Sequence, residues 1–246
     1  MRENIHIGTS GWNYDHWKGP FYPEDLPQDQ WLKFYTDHFD TVEINNSFYQ
    51  QPEKETISEW RDGVPDHFLF AAKANRYITH MKKLNDPEES IRKMADSFGV
   101  FGDKLGSILF QLPPKWNFNE ERLRSFIKLL PGDFRYAFEF RDRSWINDTT
   151  AAILEENNIA FCIYHLSGYQ SPLTITADFI YIRLHGPVEE KYQGKYDENY
   201  LSSWAEKLTD WSDKGKDVYL YFNNDDQGFA VQNALKLKEL TGGVPS

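Results

Sequence analysis

Three short stretches of this chain alternate an apolar residue with one that can ionise or hydrogen-bond: Val42-Glu43-Ile44-Asn45, Phe138-Glu139-Phe140-Arg141 and Ile182-Arg183-Leu184-His185. Successive side chains of a β-strand point to opposite faces, so each stretch puts its apolar pair on one face and its polar pair on the other. Lys73, Gln111, His165 and Asn223 or Asn224 close four further apolar segments in equivalent places. Lys73, Arg141 and Arg183 outnumber Glu43 and Glu139, which leaves one positive charge with the histidines neutral and suits an anionic ligand. The chemistry such a set supports is acid–base work without a metal. Glu139 or Glu43 would be the general acid or base and His185 the proton shuttle. Lys73, Arg141 and Arg183 would form the electrostatic clamp, with Asn45, Gln111, Asn223 and Asn224 as hydrogen-bonding substrate ligands. A structural alternative stands beside this reading: Glu139 with Arg141 or Arg183 forms an ion pair that only holds the interior together. The gathering of the set at one end of nearly every strand favours a ligand site, whose charges should stay partly hydrated.

The elements that must position these residues recur at roughly twenty to forty residues as eight short apolar segments: IHIGTSGW, TVEINNS, FLFAAKAN, SILFQLPP, YAFEFRDR, AFCIYHLS, IYIRLHGP and VYLYFNND. Helical periodicity fills the intervals at Gln28 to His38, Pro87 to Phe98, Asn119 to Leu130, Asn147 to Asn157, Asn199 to Trp211 and Gln227 to Leu240. Alternation of strand and helix predicts an α/β fold of the TIM type, a (β/α)8 barrel, whose chemistry sits at the C-terminal strand ends. Leu166 to Ala177 (LSGYQSPLTITA) reads as a loop, so the sixth helix is expected to be missing or very short. The length of 246 residues fits one barrel domain spanning 1–246.

The loops add candidates. GTSGWNYDHWKGPFYP follows the first strand, and its Trp12 is placed to stack on a sugar or base ring, while Gly8 and Gly11 read chiefly as a tight turn. HGPVEEKYQGKYDENY carries Lys191, Tyr192, Lys195 and Tyr196 past the mouth as a lid or a plain surface loop. One of Asp225 and Asp226 is expected to cap the last helix. No H-x-H or His-rich carboxylate cluster points to a metal, and no motif points to a cofactor. The single cysteine, Cys162, lies in an apolar run and reads as a core residue. A formal charge of -11 opposes indiscriminate binding to nucleic acid or anionic membranes. A mean hydropathy of -0.68 without a long apolar run, and the lack of a basic-then-apolar leader, predict a cytoplasmic location.

Taken in order, GTSGWNYDHWKGPFYP, FDTVEINNSFYQQP, FLFAAKAN, ILFQLPP, FEFRDRSW, YIRLHG with KYQGKY, and YFNNDDQGFAVQNA resemble the YecE-like family, domain of unknown function family 72, along nearly the whole chain. The resemblance implies a TIM-type barrel and no established activity. It places Trp12, Glu43, Asn45, Lys73, Gln111, Glu139, Arg141, Trp145, Arg183, His185, Asn223 and Asn224 in the family's motif positions without giving any of them a role. The function expected from the residues is a metal-independent enzyme, a hydrolase, lyase or isomerase, acting on an anionic or sugar-like small molecule. Two carboxylates also admit glycoside hydrolysis if about 5 to 9.5 Å separates them. The other classes are nucleic-acid binding or repair with an endonuclease-IV-like architecture, disfavoured by the acidic balance, and non-catalytic sensing of an anionic metabolite.

Overall fold

The computed structural model describes residues 4–242, so the two ends of the span expected as one domain lie outside the described residues. The strands are β1 (Ile5–Thr9), β2 (Thr41–Ile44), β3 (Leu69–Lys73), β4 (Leu105–Leu112), β5 (Tyr136–Phe140), β6 (Ala160–Leu166), β7 (Tyr169–Gln170), β8 (Phe179–Leu184) and β9 (Asp217–Phe222). All except β7 run parallel, in the order β1-β9-β8-β6-β5-β4-β3-β2, and make a nearly closed barrel of the TIM type. β7 is a two-residue antiparallel arm folded back on the end of β6.

Period-two alternation splits the strand residues into two layers. Val42, Ile44, Phe138, Phe140, Ile182 and Leu184 belong to the large core under the helices. Ala71, Leu109, Ala137, Cys162, Tyr181, Tyr219 and Tyr221 fill the barrel itself. Small residues on β3 and β5 face tyrosines on β8 and β9, so the lumen is a packed core and the polar strand ends sit above it.

No hydrogen-bonded ladder joins β1 to β2 among the described residues; that seam is closed by a side chain. The Tyr35 hydroxyl accepts from the Thr9 N–H at 3.0 Å and donates to the Thr41 carbonyl at 3.1 Å. The strands approach so closely that a Cβ on Gly8 would lie 2.2 Å from the Thr41 oxygen, which is why glycine stands there.

Among the described residues, seven α-helices cover the barrel: α1 (Trp31–Thr36), α2 (Lys54–Asp62), α3 (Glu88–Phe98), α4 (Glu120–Ile127), α5 (Asp148–Glu156), α6 (Glu198–Asp213) and α7 (Phe229–Leu240). Asn119, Asn147 and Asp197 accept from the first-turn amides of Arg122, Thr150 and Tyr200 and so fix the starts of α4, α5 and α6. The periodicity did not announce α2, in which only Ile57 is fully buried. Between β6 and β8 there is no helix. The chain there runs beside β6 and serves its backbone: Ser171 Oγ accepts from the Tyr164 N–H at 2.8 Å, and Thr176 Oγ1 accepts from the Phe161 N–H at 2.8 Å while donating to the Ile159 carbonyl at 2.6 Å. Among the described residues, no helix is long and apolar enough to cross a membrane.

Candidate functional site

Alternation on β2, β5 and β8 aims Glu43, Glu139 and Arg183 into the upper lumen, where one guanidinium joins both carboxylates. Arg183 donates from Nη2 to Glu43 Oε1 and from Nη1 to Glu139 Oε2, both at 2.7 Å, and from Nε to Glu43 Oε1 at 3.2 Å. All three residues are fully buried. Glu43 also accepts from the Ser10 and Tyr181 hydroxyls, each at 2.6 Å. Glu139 Oε1 is paired with Arg141 Nε. Three of the four carboxylate oxygens accept hydrogen bonds, and the fourth, Glu139 Oε1, is in ion-pair contact with Arg141 without one. Burial opposes ionisation of Glu139, but Arg141 and Arg183 outweigh it and hold its carboxyl well below the usual carboxylate range. Burial likewise opposes the charge on Arg183, and the two carboxylates raise its basicity in spite of that. The inner part of the cluster is fully buried, where charges open to water were expected. The ring a glycoside hydrolase would hold between its carboxylates has no space here, because the Arg183 guanidinium fills it.

His185 follows on β8 and is also fully buried. Arg141 Nη2 lies 3.0 Å from its Nε2, and since arginine only donates, Nε2 accepts and the neutral ring carries its proton on Nδ1. Asn223 places its Nδ2 3.1 Å from Nδ1, and the amide accepts the ring proton once turned about so that its oxygen takes that place. Burial, then Arg141 and Arg183, push the imidazole well below its usual range, so it stays neutral. The exposed Tyr192 lays an edge across it at 5.6 Å. The loop carrying Tyr192 is pinned at its far end, where the buried Tyr196 hydroxyl accepts from the Gly186 N–H at 2.9 Å.

Lys73 differs from every other charge in the set. It ends β3 with only 8% of its surface exposed, and its Nζ lies over the face of Phe48, 4.1 Å from the ring centre. Ser47 donates to the Lys73 carbonyl at 2.7 Å, which fixes Phe48 beside it. No described carboxylate lies within ion-pair distance of the amine. Burial first, then Arg183, pull its pKa down to about 7. His80, on the π-helical turn Tyr77–Met81, meets Phe48 edge-on at 5.0 Å. Its pKa falls to about 4 through burial and then the charge of Lys73. Gln111, half-buried on β4, stands between Lys73 and Arg141 in strand order.

Other expected site residues fall on the rim or away from it. Trp12 is half-buried and meets Trp60 edge-on at 5.3 Å; with Tyr14, Asn45, Lys33 and Asp29 it lines an open groove of about 1100 Å³ beside the mouth. Asn45 reaches both sides, donating to the Ser10 carbonyl at 3.3 Å and accepting from Arg183 at 3.4 Å. Asn224 is a correction. The residue after Asn223 turns outward, and its Nδ2 donates to the Gly194 carbonyl at 2.8 Å and to Asn233 at 2.9 Å, so it fastens a loop to α7 and does not face a ligand. His165 is another: β6 aims Cys162 and Tyr164 inward, which sends His165 to the helix side, against Tyr196 at 2.9 Å. Asp225 does not cap α7, whose N-cap position is held by Gly228; it accepts from Trp17 Nε1 and bonds His16, each at 2.9 Å. Trp17 and Tyr22 are buried in the core. Sequence reading passed over Ser10, Tyr181, Phe48 and His80. Tyr181 had a signal, since it stands two residues before Arg183 on the same face. No group of three or more His, Cys, Asp or Glu among the described residues is placed to hold a metal ion.

A family model described as "Protein of unknown function DUF72" matches residues 6–245. The chain is 28% identical to the UPF0759 protein YunF of Bacillus subtilis (strain 168) over 268 aligned positions, covering 96% of this chain and 94% of that protein. It is 28% identical to the UPF0759 protein YecE of Escherichia coli (strain K12) over 56% of this chain and 48% of that one. The crystal structure of a DUF72 family protein from Thermotoga maritima superposes with a TM-score of 0.88 at 29% identity, covering 97% of this chain and 99% of that chain.

Proposed function

The chain belongs to the DUF72 family, whose activity its name leaves open, and from its mouth we propose a metal-independent enzyme that binds an anionic small molecule and exchanges a proton with it. One observation carries this reading: in a cluster whose other charges are mutually paired, Lys73 has no carboxylate partner. Buried ions are normally neutralised, so an unneutralised amine beside a guanidinium is a place for a ligand's negative charge. Arg141 supports it, since Nε goes to Glu139 and Nη2 to His185 while Nη1 meets no acceptor among the described residues. Glu43 and Glu139 act as counter-charges that hold the guanidiniums, and Lys73 is the group that gives or takes the proton. The open groove with Trp12 and Trp60 extends the site for a sugar-like or ring-bearing portion of the substrate.

A thermal-shift screen against small carboxylates, phosphates and sugar acids tests this. At least one should raise the melting temperature of the wild type, and Arg141→Gln should weaken its binding about tenfold or more, the loss of one charge-assisted hydrogen bond. A screen in which no anion stabilises the protein, or in which Arg141→Gln responds as the wild type does, removes the proposal.

A further inference from the structure

We infer that Lys73 is a nucleophile toward carbonyl groups, forming an imine with an anionic aldehyde or 2-oxo acid whose negative end is held by Arg141. This rests on the mouth being a ligand site and adds the substrate's functional group. Acid–base use alone does not explain how the amine is housed. Its Nζ stands on the face of Phe48 at 4.1 Å, and the nearest carboxylates, Glu43 and Glu139, are committed to Arg183 and Arg141. An amine so placed is poorly solvated and free to use its lone pair.

The groups that set its protonation come from three other strands of the barrel: Arg183 on β8, Glu139 and Arg141 on β5, Glu43 on β2. Burial and the two arginines prevail, and with a pKa of about 7 much of the amine is neutral near neutral pH. His80, edge-on to Phe48, keeps its ring neutral through burial and then the charge of Lys73, and its Nδ1 is engaged with the Thr79 hydroxyl at 2.9 Å.

The chemistry balances with water as the only by-product. The Nζ lone pair forms the C–N bond while the carbonyl π pair moves to oxygen, and one N–H proton passes to that oxygen, giving the carbinolamine and restoring the nitrogen lone pair. The C–O bond then breaks, the oxygen leaves as water with a second proton, and the nitrogen lone pair closes the C=N bond. The protonated imine withdraws electrons from an adjacent C–H or C–C bond, which is what an isomerase or a lyase needs.

Glyoxylate with cyanoborohydride tests the inference, followed by peptide mass mapping. Reductive trapping should put a carboxymethyl group on Lys73 about tenfold or more faster than on the exposed Lys93 and Lys214. Lys73→Arg, checked for folding by circular dichroism, should lose that adduct alone. Oxalate, an anion that forms no imine, separates the two readings. If oxalate binds in calorimetry, with Arg141→Gln weakening it, while Lys73 acquires no adduct, the nucleophile is overturned and the anion site stands. If oxalate does not bind and adducts form only on surface lysines, both fall.

Discussion

Lys73 carries a pH signature of its own. In the unfolded chain its amine holds a proton up to about 10.5, whereas in the fold it releases it near 7. Between those values the unfolded state binds more protons, so stability rises with pH. Unfolding wild type and Lys73→Met in urea should show the wild type gaining about 2 kcal/mol on the variant from about pH 7 to about pH 9. A constant difference would mean that the amine stays protonated in the fold. Arg183 makes the opposite kind of residue. Its removal strands two buried carboxylates, Glu43 and Glu139, so Arg183→Ala should cost about 3 to 5 kcal/mol in denaturant. Adding Glu43→Gln and Glu139→Gln should recover part of that loss, because no carboxylate is then left unpaired; no recovery would place the cost in packing. Period-two alternation was enough to bring Glu43, Glu139, Arg183 and His185 to one place. It could not say that one guanidinium would satisfy both carboxylates, because that depends on the barrel's circumference and not on any strand. For the same reason Lys73 and Arg183 looked alike in the sequence and differ in the fold.

Elements show where pattern reading gives out. β6 has an ionisable residue near its end as β5 and β8 do, yet its register sends Tyr164 inward and His165 out. Position near a strand end does not fix a face; the count from a known inward residue does. Helix α2 has no periodic signal because its exposed face supplies most of its residues, whereas α3 and α6 repeat buried positions over about two turns or more. The missing sixth helix was legible from turn-rich composition, but its substitute was not. Two hydroxyls bind the backbone of β6, so Thr176→Val should leave the Phe161 N–H and Ile159 carbonyl unpaired and cost about 1 to 3 kcal/mol. Tyr35→Phe acts similarly at the β1–β2 seam. It should lower stability by about 1 to 3 kcal/mol and speed amide exchange at Thr9 more than at Leu220 in β9. Equal protection at both sites would show that the seam is held by packing.

At the scale of the whole molecule, a net charge of -11 surrounds a mouth that keeps cationic donors unspent. On the proposed function, that combination would draw a small anion into a focused site while repelling a polyanion from the surface. Titration with single-stranded DNA should therefore show no sub-micromolar affinity and no log-linear dependence on salt; either would move the site to the class of phosphate-backbone binders. The Arg183 junction also sets an order of events during synthesis. Glu43 and Glu139 leave the ribosome on β2 and β5, but Arg183 and Tyr181, which supply three of the four hydrogen-bonding groups on Glu43, come on β8. A nascent chain ending before β8 holds a carboxylate that cannot be enclosed, so its half-built barrel must stay open to water. Burial of the top of the ring thus waits for most of the chain to be made, and β8 serves as the keystone without which the earlier strands have nothing to close around.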